Sequence, residues 1–476
     1  MPLDASSCYR ALATHDRRFD GRFFVGVATT RIYCRPVCTV RTPRRENCRF
    51  FRSAAAAEEA GYRPCLRCRP ELAPGNASID SAERLAQAAI ALIDEGVLER
   101  GGIEALARSI GVTSRHLRRI FLASFGVSPV AYAQTHRLLL AKRLLTDTML
   151  PVTDIAFAAG FGSVRRLNAL FSERYRLAPA RLRRDATAVS ARAPLSFELA
   201  YRPPYHWPAM LDFLRARALP GVDRVDARRY MRTLRVAQRG EVHVGAIAVA
   251  PVLQRSVLHV EISAGLAKAI APVLTRVRHA FDLACDPEAV TSTLGALAQE
   301  APGLRVPGAF EGFELAVRAI VGQQVSVAAA RTLLGRIVEA LGERVQPAMF
   351  GVDRLFPTPE GILECGESGL RALGILPSRA RTVGKLARLV QDGVLTLEPH
   401  TDLASTLRTL RDIPGIGDWT AEMIAMRALG WPDAFPATDV VLRRAMGVAS
   451  AAQSRARSLE WQPWRSYAVM HLWRNA

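Results

Sequence analysis

The chain has 476 residues, 49% hydrophobic and 23% charged, with 33 glycines and 28 prolines in no repeating pattern. This excludes collagen-like, coiled-coil and wholly disordered classes, and about 100–200 residues per domain predicts three or four domains. Net charge is +20, with 30 Arg/Lys against 17 Asp/Glu in residues 1–190 and 34 against 27 thereafter, so a polyanion is the expected partner and the first two-fifths its main contact.

Arginine makes up 61 of the 64 basic residues, a skew that GC-rich coding alone can produce, so the uneven net excess weighs more than arginine number. No apolar run is long enough to span a bilayer, and the start Met-Pro-Leu-Asp-Ala-Ser-Ser-Cys lacks a basic region followed by an apolar one. A soluble, cytoplasmic protein with no membrane partner is expected.

Eight cysteines stand at 8, 34, 38, 48, 65, 68, 285 and 365. Cys34-x3-Cys38 and Cys65-x2-Cys68, with 26 residues between the pairs, have the spacing of a tetrahedral four-cysteine site for one Zn2+. Two disulfides are the alternative, which a cytosolic chain argues against. Cys8, Cys48, Cys285 and Cys365 have no such partners and are expected to pack as small side chains. Arg31, Arg35, Arg41, Arg44, Arg45 and Arg49 crowd the first pair, and Arg63, Arg67 and Arg69 the second. Four thiolates on Zn2+ leave a net charge of −2, which these arginines would offset while reaching for phosphates.

The run Thr29-Thr-Arg-Ile-Tyr-Cys34-Arg-Pro-Val-Cys38, with Gly21–Phe24, Arg45-Glu-Asn47 and Gly61-Tyr-Arg-Pro-Cys65-Leu-Arg-Cys68, resembles the N-terminal domain of the Ada family. The resemblance implies that Cys34 is a zinc ligand that accepts a methyl group, irreversibly, from a DNA methylphosphotriester, with Arg35 and Arg45 beside the DNA. Zinc would keep the thiol ionised at neutral pH, and the ionised thiol is the nucleophile. Methylation would change the centre from −2 to −1, removing a repulsion from phosphate of roughly 1 kcal/mol at about 4 Å in water, or roughly fivefold to tenfold in affinity.

From Ser81 to Arg184 a helical period takes over, with Leu85, Ala89, Leu92 and Ile93 on one face. Ile103–Phe121 has the pattern helix, glycine-containing turn at Gly111, helix, with Ala107 small at the crossing and Thr113 or Ser114 as cap. Arg115, His116, Arg118 and Arg119 would face a groove. A second copy at Val152–Phe171, 49 residues on from Gly111 to Gly160, presents Arg165, Arg166 and Asn168. Pro129–Thr148 predicts the connecting helix, with Leu138, Leu139, Ala141, Leu144 and Leu145 inward. Two such units on one helix resemble the AraC-family DNA-binding domain, which implies two major-groove sites one turn apart on a promoter operator and contact with RNA polymerase. The second copy departs from the family's commoner run before Phe171, which leaves its base preference open.

Asp185–Pro194 is small and aperiodic, a linker. Leu195–Tyr201 and Val257–Ser263 alternate as half-buried strands, Tyr230–Gln238 and Glu241–Val252 read as further strands turning at 239–240, and Trp207–Arg217 predicts a helix. This α+β unit ends near Asp282.

Beyond it the chain is helical. Leu410–Ala421 contains Pro414-Gly415-Ile416-Gly417, a helix-hairpin-helix in which Gly415 and Gly417 let backbone N–H groups meet a phosphate. Asp439 follows Gly417 by 22 residues, and a helix N-cap is its alternative role. With Phe313–Val327, which contains Gln323 and Gln324, and Trp461–Trp473, the segment from about Leu195 to the end resembles the AlkA-type 3-methyladenine glycosylases of the helix-hairpin-helix superfamily. That implies excision of N-alkylated purines with Asp439 as the catalytic carboxylate and Trp419 and Trp473 as base-pocket aromatics, Trp461 and Trp464 being structural. Trp419 stands where lyase-active relatives have lysine, so no Schiff base can form. Gln324 stands at a position some relatives give to an apolar wedge, and Met423 replaces an aromatic. The four C-terminal cysteines of iron–sulfur relatives are missing, so no iron–sulfur cluster is expected, nor is there a Pro-Cys-His-Arg motif for repair of guanine oxygen.

The expected protein is therefore multidomain, mainly α with α+β parts: a zinc domain at 1–78, an AraC-type domain at 79–185, a linker at 186–194, an α+β subdomain at 195–285 and a glycosylase domain at 286–476. The expectation is an alkylation-responsive, DNA-bound bacterial activator that also repairs double-stranded DNA. A regulator with a vestigial glycosylase acting as a clamp is one alternative, and a repair enzyme whose front half only docks on damage is another.

Overall fold

The computed structural model describes residues 4–74, 81–94, 96–182, 194–238, 240–399 and 401–474. The expected 78/79 boundary, position 239 of the hairpin turn and all of the expected linker except Pro194 lie outside them.

The first unit is a small sheet of four strands, β1 Phe24–Val27, β2 Ile32–Cys34, β3 Cys48–Phe51 and β4 Arg63–Pro64, in the order β3-β1-β2-β4. β1 is antiparallel to β2 and β3, while β4 runs parallel to β2. Phe23 and Val25 pack towards the helix Ala5–Ala13, and Phe24, Tyr33 and Tyr62 form a second small cluster. So little apolar area makes a thin core, the circumstance in which small domains rely on a metal.

The helical stretch Val97–Ser109, broken by a kink at Gly102, and helix Ser114–Phe125 make the first helix-turn-helix, and Val152–Ala158 and Val164–Tyr175 the second. Thr113, not Ser114, caps the first recognition helix by accepting from His116 N, and Ser163 caps the other by accepting from Arg166 N. Each such cap contributes about 1 kcal/mol. The connecting helix is Pro129–Asp147, one residue shorter than expected, and all five of its predicted inward residues are buried.

The α+β subdomain holds five antiparallel strands, β5 Leu195–Ala200, β6 Asp223–Val225, β7 Tyr230–Gln238, β8 Glu241–Val252 and β9 Val257–Ile262, in the order β5-β9-β8-β7-β6. The predicted helix Trp207–Arg217 is present. Phe161 and Phe171 of the second helix-turn-helix share one apolar core with Phe197, Leu258 and Phe281 of this subdomain. Fully buried Arg143 lies 5.0 Å above the Phe197 ring. The two units are therefore fused by packing.

The remainder is a helical body around a large core, interrupted by the hairpin β10 Arg344–Met349 and β11 Val352–Arg354, which lies near β8. Among the described residues no helix is long and apolar enough to cross a membrane.

Candidate active sites and nucleic-acid interface

Parallel pairing of β2 with β4 sets Tyr33 against Pro64, so Cys34 and Cys65 leave the sheet side by side. Cys38 and Cys68 return from the following turns, and the four Sγ atoms lie within 4.8 Å of one another. All are buried or nearly so. Hydrogen bonds to Cys38 and Cys65, together with burial, push the Cys34 thiol far above the usual range. Four crowded, buried sulfurs cannot share several negative charges unaided. A donor set of four thiolates fits one Zn2+, and Cys34, Cys38, Cys65 and Cys68 would hold it.

The arginines around this site divide into two groups. Arg45 is exposed on a single 3-10 turn and touches Ser6, and Arg41, Arg44, Arg49 and Arg67 are exposed as well. Arg35, expected beside the DNA, is instead buried: its guanidinium forms an ion pair with Asp20 and donates to Cys68 O at 3.1 Å. Its N–H also points at Cys68 Sγ, 3.4 Å away. Asp20 captures the charge before phosphate can, so Arg35 organises the cysteine turns. Arg69 is similarly engaged by Glu71 and Asp147.

On the recognition helices Arg115, Arg118, Arg119, Arg165, Arg166 and Asn168 are exposed, while His116 is half-buried and bonded to Arg119. Leu117 and Phe121, and Leu167 and Phe171, anchor the opposite faces.

In the helical body, helices Leu403–Arg411 and Asp418–Arg427 flank Pro414–Gly417. Gly415 has φ +94°, and a Cβ there would sit 2.2 Å from Thr382 Oγ1, so the turn closes only with glycine. Gly417 caps the second helix without a side-chain bond, leaving first-turn amides for a phosphate oxygen. Asp418 would repel that phosphate, but Arg411 binds both Asp418 and Glu422, at 3.0 and 3.1 Å.

Asp439 caps a helix and lines a cavity at the same time. Oδ1 accepts from Leu442 N at 2.9 Å, capping Val440–Ala445, and Oδ2 accepts from Trp419 Nε1 at 2.7 Å. Trp419, Asp439 and Trp473 line one cavity of about 650 Å³, together with Met423. Trp461 and Trp464 are buried in the core. Gln323 does not reach outward; its Nε2 donates to Gly415 O and Thr420 Oγ1, both at 2.8 Å. Gln324, exposed with φ +53°, does.

Sequence reasoning missed the Trp419–Asp439 bond and two cavity-wall guanidiniums. Arg217 and Arg427 lie 3.7 and 4.8 Å from the Phe213 ring centre. Burial lowers them to about 10 and about 9. In a chain so rich in arginine, nothing in the sequence marks these two.

Residues 7–71 match the metal-binding domain of Ada, 106–185 a helix-turn-helix domain, 196–311 the AlkA N-terminal domain and 317–461 the HhH-GPD superfamily of base excision DNA repair proteins. A Mycobacterium tuberculosis relative described as a "probable bifunctional transcriptional activator/DNA repair enzyme AlkA" is 39% identical over 99% of this chain and 97% of its own length. The Escherichia coli DNA-3-methyladenine glycosylase 2 is 38% identical over 58% of this chain and 96% of its own. The solved Archaeoglobus fulgidus 3-methyladenine DNA-glycosylase shares the fold, with a TM-score of 0.51 at 24% identity over 58% of this chain and 97% of that one. With full-length similarity and all four domains in order, the chain belongs to the family of bifunctional transcriptional activator/DNA repair enzymes.

Proposed function

We propose that the protein repairs and reports DNA alkylation: it takes methyl groups from DNA methylphosphotriesters onto Cys34, activates transcription once methylated, and excises N-alkylated purines as a monofunctional glycosylase. The units doing this are 1–78, 79–185, 195–285 and 286–476. The observation that carries the reading is Asp439, held at both oxygens in a cavity that also presents Trp419 and Trp473 beside the hairpin.

In the first reaction the Cys34 sulfur attacks the methyl carbon. The S–C bond forms as the C–O bond breaks, and the electron pair leaves on oxygen, restoring the anionic phosphodiester. A bound Zn2+ supplies the positive charge that keeps the sulfurs ionised at neutral pH. The thioether is permanent, so each chain reacts once. Loss of a negative charge at the four-cysteine centre favours operator binding, where the two recognition helices read the grooves and recruit RNA polymerase.

In the second reaction the damaged base leaves the stack for the cavity. Cationic alkylpurines are held by the electron-rich faces of Trp419 and Trp473. The glycosidic pair departs with the base, which its own charge makes a good leaving group. Asp439 stabilises the cationic sugar while water adds at C1′ and loses a proton. No amine stands at position 419, so the product is an intact abasic site. Both reactions place the protein on the nucleoid in the cytoplasm. A vestigial glycosylase would have no need of a carboxylate fixed at both oxygens.

The test is base release from methylated duplex DNA by wild type and Asp439→Asn, with mass mapping of the methyl group in the same incubation. The variant is expected to keep DNA affinity and lose release by at least about 10²-fold, the scale of removing one key electrostatic stabiliser. The methyl is expected on Cys34 in both proteins. Near-normal release by the variant, or methyl on another cysteine, removes the corresponding assignment.

A further inference from the structure

Two features must reach the DNA together for a base to be everted from a paired duplex. The hairpin at Gly415–Gly417 holds a phosphate, and Gln324 at the loop tip fills the space the base vacates. Both statements rest on the proposed excision reading. The two are about 90 residues apart in sequence, and the bond between them is that of Gln323, next to Gln324, to Gly415 O.

One turn of a third helix, Pro377–Gln391, supplies a second link that braces both sides of that bond. Arg379, buried, donates from Nη2 to Gln323 O and from Nη1 to Val321 O at 3.4 Å. These carbonyls lie at and just past the end of helix Gly312–Val321, where a cation complements the helix dipole. Three residues on, the Thr382 hydroxyl lies 2.8 Å from Pro414 O in the hairpin and nests against Gly415. Gln323 closes the triangle through Gly415 O and Thr420. Gln324, next in the chain, has φ +53°, a left-handed conformation uncommon for a non-glycine residue.

We infer that Arg379 is a positioning residue for base eversion: it locks the Gln323–Gln324 loop against the hairpin so that gap filling and phosphate binding occur in register. It touches neither the base nor the reacting bond. Its contribution is therefore larger where the lesion must be both unpaired and unstacked than where the opposite base is missing and only stacking holds it.

The experiment compares single-turnover release of N7-methylguanine from two duplexes, one paired with cytosine and one with an abasic gap opposite the lesion. Arg379→Met is expected to lose about tenfold or more on the paired duplex, the scale of a lost charge-assisted hydrogen bond. On the gapped duplex, where pairing is lost but stacking remains, the loss should be at least about threefold smaller, and Arg379→Lys, which keeps the charge, should recover part of the loss on the paired one. Equal losses on both duplexes would make Arg379 a general structural residue and overturn the inference; so would no loss on the paired one. Fluorescence of 2-aminopurine placed beside the lesion reads unstacking on binding without cleavage. If wild type releases no base from either duplex, the excision reading falls, and the fluorescence difference between wild type and Arg379→Met still decides the positioning role.

Discussion

Trp419 does two things that sequence position alone attributes to separate residues. Its ring lines the cavity, and its indole N–H, 2.7 Å from Asp439 Oδ2, holds the carboxylate that Leu442 N grips at Oδ1. A carboxylate with one anchor can swing about its bond to Cβ; with two it presents the same edge to every bound sugar. Trp419→Phe keeps a smaller aromatic face and removes the donor. Base release is expected to fall about tenfold, as one hydrogen bond to a charged group would imply, with DNA affinity little changed. Because the indole acts through the carboxylate, adding Trp419→Phe to Asp439→Asn should cost little more than Asp439→Asn alone. Single-turnover rates of the two single variants and the double variant check this, and full additivity would separate the two residues. Arg35 shows the opposite case, a side chain whose charge suggests phosphate and whose neighbour Asp20 removes it from reach.

At the level of elements, the hairpin distinguishes its two glycines. Gly415 has φ +94° and Thr382 in the way of any Cβ, whereas Gly417 has φ −91° and open space. Gly415→Ala should lower stability by about 1–3 kcal/mol through backbone strain and the displaced Thr382 bond, and weaken duplex binding with it. Gly417→Ala should melt close to wild type. Thermal unfolding of the two variants checks the contrast, and equal losses would mean the turn is not held by Thr382. Local pattern made much of this architecture legible. Tyr230–Gln238 and Glu241–Val252 have the bounds read for them from the sequence for a local reason, two strand-forming runs either side of a turn, although each is buried over consecutive residues rather than alternately. Recognition helices begin one residue after their caps for a similarly local reason. The hairpin Arg344–Met349 with Val352–Arg354 was invisible, since its first strand is mostly exposed and shows no alternation. The contacts that complete the sites, Trp419 to Asp439, Arg379 to Gln323 and Arg35 to Asp20, join residues 15 to 56 positions apart. No period or spacing encodes such pairs; they follow from the packed fold.

Across the whole molecule the sensor and the reader are bolted together by buried polar groups. Lys142 and Glu71 pair at 2.6 Å, and Arg69 reaches Asp147 at 2.7 Å. At the centre is Glu58, on the zinc-domain helix Ala54–Glu59. It accepts from Tyr33 OH beside Cys34, from Thr135 on the connecting helix, and from Tyr175 at the end of the second recognition helix, at 3.0, 3.0 and 3.1 Å. Burial pushes the Glu58 carboxyl up to about 7, although all three hydroxyls pull it down. Between its ordinary value and about pH 7 the native state therefore holds a proton that the unfolded chain has released. Stability from this group is fully present at the acid end, falls as pH rises through that window, and is gone above it, a change of about 3 kcal/mol. Asp282, raised by burial to about 6, tilts the curve the same way, so the absolute slope does not isolate Glu58. The difference between wild type and Glu58→Gln does. Glutamine is neutral throughout and its oxygen still accepts from two of the hydroxyls, so the variant should unfold at or above the wild-type temperature at pH 8 and at or below it at pH 5. Calorimetry on the full chain at four pH values between 5 and 8 measures this, and a pH-independent difference would place the titration elsewhere in the molecule.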